Sequence, residues 1–467
     1  MSHFEQKSIT QFLEAEYRDY AMYVIEGRAI PSVIDGLKPT QRKIIHVSNK
    51  VWRNIDEKPM KVFQLGGRIA SDAFYHHGDA SLYGAIIGLA QSFKNNLALL
   101  EEKGQFGSLR SPEAGAPRYI STRLSKNFRH LYKDFELLES KFEEGYEIEP
   151  EWFLPIIPTV LINGASGIAV GFASNILNRD PKKIIKECLN WLEGKKIKDV
   201  PPALNDYKGK YVQDKENPKK WTITGQYEVL TTNTIHITEL PPSMTYEKWE
   251  DHLDFLLHNK KITGFEDQSG RVKDKKEKKK QQEGLSIKDK IDYTVKFTRE
   301  ELASLIAKDE LIKLLKMSET ETEIYTTLDE NGEMKIFETC SEIINYFMDF
   351  RLKFYIKRKE YQILQIEKNL LLLTNRAKFI KMIIDDELII NKRTKAEIEK
   401  DLVKNKFDQI EGSYDYLLRM AISSLGKEQY DKMVKEVAES KKELIAAKKL
   451  EPREVFKSDL EQLAKEI

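Results

Sequence analysis

The chain has 467 residues, with 76 Lys and Arg against 75 Asp and Glu and a formal net charge of +1, so it has room for roughly three domains with cores that need no covalent staples. Its two cysteines, Cys188 and Cys340, lack CxxC spacing, which excludes a disulfide framework and a structural zinc and fits a reducing cytoplasm. The start, MSHFEQKSITQFLEAEY, lacks the apolar centre of a signal peptide, and no uncharged apolar run approaches the roughly 20 residues of a membrane span.

In chain order, GLKPTQRKIIHVSNKVW (36–52) reads as a helix with Ile44, Val47 and Val51 on one stripe and Lys38, Arg42 and Lys43 near its start. KVFQLGGRIASDAFYHHGD (61–79) predicts a second helix, and DASLYGAIIGLAQSF (79–93) a third. GQFGSLRSPEAGAPRY (104–119) has too many turn formers for a helix and predicts a β-hairpin wing. Charge is uneven along this region. Residues 28–68 hold nine Lys or Arg against three acids, 94–133 hold eight against three, and 134–152 hold one Lys against eight carboxylates. Three helices, a wing and two basic windows suit a surface for a polyanion.

From Pro155 onward, IIPTVLINGASGIAVGFAS alternates β-branched residues with glycines and predicts buried strands or tight turns. Further strands are expected in 221–229, 234–241 and 292–297, which makes the middle of the chain α+β. Lys273 to Lys280, with six Lys and two acids, marks 270–290 as a solvated insertion. After Cys340 an apolar seam continues to Ile384 as one long helix, a second helix is expected over 426–450, and 385–425 is expected to form a compact cap between them. The expected whole is an α+β multidomain chain: a winged-helix domain (1–150), an α/β tower (151–340), and a long antiparallel coiled coil with a dimerising cap (341–467).

Four stretches carry a resemblance: YAMYVIEGRAIPSVIDGLKPTQRKII (20–45), FYHHGDASLY (74–83), QFGSLRSPEAGAPRYI (105–120) and PTVLINGASGIAVGFASNI (158–176). In order and spacing they resemble the breakage-reunion subunit of type IIA DNA topoisomerases, the family of gyrase A and topoisomerase IV C subunits. In its short length the chain is most similar to the phage members.

That resemblance implies that Tyr119 attacks a DNA phosphorus to form a 5′-phosphotyrosine. It implies that Arg118 and Arg28 stabilise the transferring phosphoryl group and that His77 hydrogen-bonds near the scissile phosphate. Making phenolate at pH 7 costs about 4 kcal/mol, which neighbouring cations offset in part. By the same matching, Lys38, Arg42, Lys43, Arg68, Arg123 and Lys126 are expected to contact DNA, and Ile168 to wedge between base pairs. No Walker motif or acidic metal cluster occurs in the sequence. The family places ATP and Mg²⁺ on a partner ATPase/Toprim subunit, and the implied partners are double-stranded DNA, a second copy of the chain and that subunit. The bland alternative is a catalytically silent architectural DNA-binding protein, which explains the basic windows but not the Arg118–Tyr119 pair.

Overall fold

The computed structural model describes residues 8–54, 57–269, 290–391, 393–421 and 426–467. The Lys-rich insertion therefore lies almost wholly outside the described residues. The chain divides into two compact units, Met1–Arg351 with Asp459–Ile467, and Leu352–Ser458.

The first unit begins with a helical arm that ends in a π-helical turn, Ile25–Ala29. Three helices follow: α1 (Pro39–Val51), α2 (Val62–Asp72) and α3 (Asp79–Ala90). Pro39 starts α1 because its missing N–H is an orphan at that position anyway, and Lys38 before it is held extended. The Lys38 amide is satisfied by Gln41 Oε1 at 2.9 Å. The apolar stripes expected of α1 and α3 are buried as Ile44 and Val47, and as Leu82, Ile86 and Leu89.

One buried carboxylate organises this layer. Asp35 Oδ2 accepts from Arg42 Nε at 2.7 Å and from the Phe153 amide at 3.0 Å, while its Oδ1 accepts from the Leu37 amide at 3.0 Å and Arg42 Nη2 at 3.0 Å. Its backbone oxygen accepts from Thr159 Oγ1 and Tyr132 Oη. The next residue, Gly36, sits at φ +68°, and a methyl there would run into the Val160 amide. Only glycine turns the chain here at no steric cost.

The expected wing takes a different form. Residues 104–119 contain no strand; Pro112 and Pro117 offer no amide for a ladder. Pairing falls instead on the flanks, where Lys103 and Ser121 exchange backbone bonds and Ser121–Thr122 pairs antiparallel with Met60–Lys61. The tip turns inward, and buried Arg110 bonds to Glu239 and to the carbonyls of Leu240, Pro241 and Met244.

The glycine-rich run after Pro155 gives a short helix, Thr159–Ile162, and a hairpin pairing Ala165–Ile168 with Ala173–Ile176. The middle strands form an antiparallel sheet in the order Gln226–Thr231, Thr234–Glu239, Tyr293–Lys296, Gly264–Asp267, over a core that includes Trp249, Leu253, Tyr293 and Val295. A three-stranded sheet places Lys220–Thr224 between Ser318–Thr322 and Lys210–Gln213.

Cys340 begins a single 45-residue helix, α4 (Cys340–Ile384). In the second unit α4 meets α5 (Lys395–Lys404) in a cluster that includes Phe379, Leu388, Leu402 and Leu417. A further helix, α6 (Lys427–Lys449), returns alongside α4: Met433 packs near Ile380, while Lys448 pairs with Glu367 at 2.8 Å.

Candidate functional site

Tyr119 lies on the loop that leads into Ser121–Thr122, and the start of α2 fixes its backbone. The Phe63 amide donates to Pro117 O at 3.1 Å and the Val62 amide to Ile120 O at 3.1 Å. Lys61 Nζ donates to Tyr119 O at 2.8 Å, and the Tyr119 amide closes a turn onto Ala116 O. Orphan amides of a helix start thus hold the segment on either side of the tyrosine. The side chain is left 73% exposed, and Arg118 beside it is exposed as well. A phenol with a rigid backbone and an open ring can meet an external phosphorus. The same phenol packed in a core could not.

A second group forms where the arm meets the segment before α3. His77 Nε2 and Tyr23 Oη are hydrogen-bonded at 3.2 Å, and the rings of Tyr75 and His77 meet edge-on at 5.4 Å between centroids. Burial pushes the Tyr75 phenol up, opposed by the Arg28 cation and a hydrogen bond with Thr40. Arg28, exposed on its π-helical turn, and His77 therefore share Tyr75 as a neighbour. Among the described residues no hydrogen bond or ring contact joins this group to Tyr119. The other histidine of the pair, His76, bonds instead to Glu143 Oε1 at 3.0 Å.

A third element presents Ile168, 88% exposed, near the tip of the hairpin after Asn163. Lys38 Nζ donates to Ser166 O at 2.7 Å, two residues before it.

Three of the expected DNA contacts are engaged with acids of the chain. Arg42 is buried, with its guanidinium on Asp35. Lys43 is largely covered, with its ammonium on Glu149 Oε2 at 2.7 Å and Ala73 O at 2.6 Å. Arg123 is committed to Glu101, with Nε to Oε2 at 2.8 Å. Arg68 and Lys126 stay exposed. Sequence reasoning assigned no role to Tyr23, Tyr75, Lys61 or Asp35, although Tyr23, Asp35 and Tyr75 lie inside the stretches that carry the resemblance and Lys61 lies in the first basic window.

Residues 28–461 match the family model of the A-type subunits of DNA gyrase and topoisomerase IV. The chain belongs to that family. The medium subunit of the DNA topoisomerase of Enterobacteria phage T4 is 30% identical, with 98% of this chain and 99% of the phage protein covered. DNA topoisomerase 2 of Arabidopsis thaliana is 35% identical across 100% of this chain, which spans only 34% of the plant protein. The solved DNA-binding, cleavage and re-ligation domain of Plasmodium falciparum topoisomerase II superposes with a TM-score of 0.83 at 30% identity, over 100% of this chain and 66% of that one.

Members of this family work with Mg²⁺ and ATP. Among the described residues, no group of three or more His, Cys, Asp or Glu side chains could hold a metal ion. Nor, among the described residues, is any helix long and apolar enough to cross a membrane.

Proposed function

We propose that this chain is the DNA-cleaving and rejoining subunit of an ATP-dependent type IIA topoisomerase, acting as a homodimer that opens one duplex and passes a second through it. Tyr119 is the nucleophile. Its Oη attacks a backbone phosphorus, the phenolic proton goes to a base or water, and the bond to the 3′ oxygen breaks with its electron pair staying on that oxygen. One phosphodiester is exchanged for another, so the link keeps the free energy for resealing and the cut itself consumes no ATP.

Arg118 and Arg28 pair with the non-bridging oxygens as charge builds on them, a use for which the planar guanidinium is suited. His77 donates a hydrogen bond near the same phosphate. Arg68 and Lys126 contact the DNA backbone, and Ile168 wedges between base pairs to bend the duplex. ATP and Mg²⁺ are held by the partner ATPase/Toprim subunit. The division of labour follows the sequence pattern: 1–150 as a winged-helix cleavage domain, 151–340 as a tower, and 341–467 as a coiled coil whose cap joins two copies. Relaxation or decatenation is the reaction we assign.

The observation that carries this reading is the open Tyr119 side chain directly after an exposed arginine, on a backbone pinned to the start of α2. The silent architectural alternative has no use for that arrangement. The test mixes the chain with its partner subunit, Mg²⁺, ATP and supercoiled plasmid, then traps covalent protein–DNA adduct with detergent. Tyr119→Phe should lower adduct by roughly 100-fold or more while leaving DNA affinity within about twofold. Adduct at the wild-type level in that variant would move the nucleophile elsewhere.

A further inference from the structure

The loop that leads to Tyr119 is closed without a sheet. Pro112 has no amide to donate, and residues 104–119 form no strand, so the ladder that would hold two hairpin limbs together is not made. The Gly115 amide donates to Gln105 O and the Ser108 amide to Ser111 O, both at 2.8 Å. Between these two bonds the limbs are joined by a side chain from outside the loop.

That side chain is Gln91, the residue after the end of α3. Its amide donates to Ile87 O at 3.0 Å, and its carbonyl accepts from the Lys94 and Asn95 amides at 3.2 Å each, so its backbone is fixed. The side chain is buried. Its Nε2 donates to Phe106 O at 2.7 Å and to Pro112 O at 3.3 Å, one carbonyl on each limb. Gln91 Oε1 has no hydrogen-bond partner among the described residues, so the fold uses the two donors and not the acceptor. The limbs run close at this level. Gly107 sits at φ +82°, and a methyl on it would overlap the Pro112 carbonyl.

We propose that Gln91 is a positioning residue for Tyr119: its side-chain amide closes the neck of the loop, which sets how the chain enters the tyrosine, while the start of α2 holds how it leaves. The proposal rests on the reading above, in which Tyr119 is the nucleophile. After Gly115 only Ala116, Pro117 and Arg118 remain before Tyr119, and the Tyr119 amide turns back onto Ala116 O. A shift at the neck therefore reaches the phenol with little slack. Misplacing a reacting group by about 1 Å costs up to about 100-fold in rate.

The experiment uses the full chain bound to its partner subunit, with Mg²⁺ and a labelled duplex. It measures the single-turnover rate of adduct formation at saturating DNA, and DNA affinity beside it. Gln91→Met keeps the reach of the side chain and removes both donors. It should slow adduct formation by at least about tenfold and leave the DNA dissociation constant within about twofold, because a buried side chain meets no phosphate.

Gln91→Glu keeps the shape. Ionised, it sets a carboxylate against two carbonyl oxygens; protonated, it regains one donor. Its rate relative to wild type should rise several-fold as pH falls from about 8 to about 6, whereas the ratio for Gln91→Met should stay flat. Glu102, which accepts from the neighbouring Ser92 amide, is present in all three proteins and cancels in the ratio.

A Gln91→Met chain that forms adduct at the wild-type rate would overturn the proposal. So would rate, affinity and melting temperature falling together, the mark of a residue that only supports the core. If Gln91→Met fails to fold, Gln91→Glu decides the question, and a ratio indifferent to pH would count against the proposal. If wild-type complex formed no adduct, the Tyr119 reading would fail, but hydrogen exchange would still report on the neck. The Ser108 and Gly115 amides should exchange at least about tenfold faster in Gln91→Met with α2 unchanged, and unchanged exchange at both would show that Gln91 does not hold the loop.

Discussion

At the scale of single residues, three of the cations expected to face DNA are already paired within the chain. Arg42, Lys43 and Arg123 sit in the basic windows, yet each is answered by an acid that folding brings to it: Asp35 seven residues earlier, Glu149 from the acidic stretch, and Glu101 across the flanks of the loop. Counting charge along a chain registers the cations and not their partners. His46, between Lys43 and Lys50 on α1, shows the same crowding from the other side. Burial first, then the cations of Lys50 and Lys43, pull its pKa down to about 4 against the opposing pull of Glu147, whose Oε1 lies 4.0 Å from Nε2.

The folded pKa of His46 is therefore below the unfolded value near 6.5. Between these values the unfolded chain binds the proton and the folded chain does not. The stabilisation from neutral His46 is complete above about pH 6.5, and it is lost as pH falls towards 4, at most about 3 kcal/mol in all. His46→Gln should flatten the dependence of urea-unfolding free energy on pH across that window relative to wild type. Parallel curves for the two proteins would show that His46 titrates normally when folded. The turn formers around Arg118 and Tyr119 announce an exposed loop, but the contacts that hold it, from Lys61, Val62 and Phe63, come from a distant stretch of sequence. Of the Arg28–Tyr75–His77 group, Arg28 and His77 were named only through resemblance, and Tyr75 was given no role.

At the scale of elements, α1 to α3 were legible because a stripe of apolar residues at helical spacing has one stable use. The loop before Tyr119 was not legible. Glycines and prolines announce a turn-rich segment without saying where its tip goes, and here a buried arginine sends it inward. Arg110 Nη2 lies 2.6 Å from Glu239 Oε1, and its other bonds end on three carbonyls of the 240–244 segment. The span between Arg110 and Tyr119 is only nine residues, so this anchor limits how far the tyrosine loop can wander.

Arg110→Met leaves the Glu239 charge buried and should cost about 3–5 kcal/mol, the usual penalty for half of an internal ion pair. Adding Glu239→Gln removes that charge and should recover part of the loss. Hydrogen exchange should quicken across 106–114 in the single variant before it does in α2. Uniform quickening throughout the first unit would mean that Arg110 supports the whole core instead of this loop.

At the scale of the molecule, the proposed homodimer needs a surface that joins two copies. The second unit has a core of its own, in which Leu388, Leu402, Phe407 and Leu417 are buried. Next to two of these, Ile389 and Val403 are 60% and 61% exposed. They flank core residues yet turn outward, so charge can be placed on them without entering the core. If the cap joins two copies, as proposed, these apolar side chains are suited to the contact, since burying exposed aliphatic area is the main source of association free energy. Ile389→Asp with Val403→Asp should then raise the dimer dissociation constant at least tenfold, about 1.4 kcal/mol, by sedimentation equilibrium. Thermal unfolding of the second unit should move little, because surface substitutions away from caps and cores usually shift stability by no more than about 0.5 kcal/mol. A double variant that dimerises as tightly as wild type would take these two positions out of the interface and turn attention to the first unit as the main joint between copies.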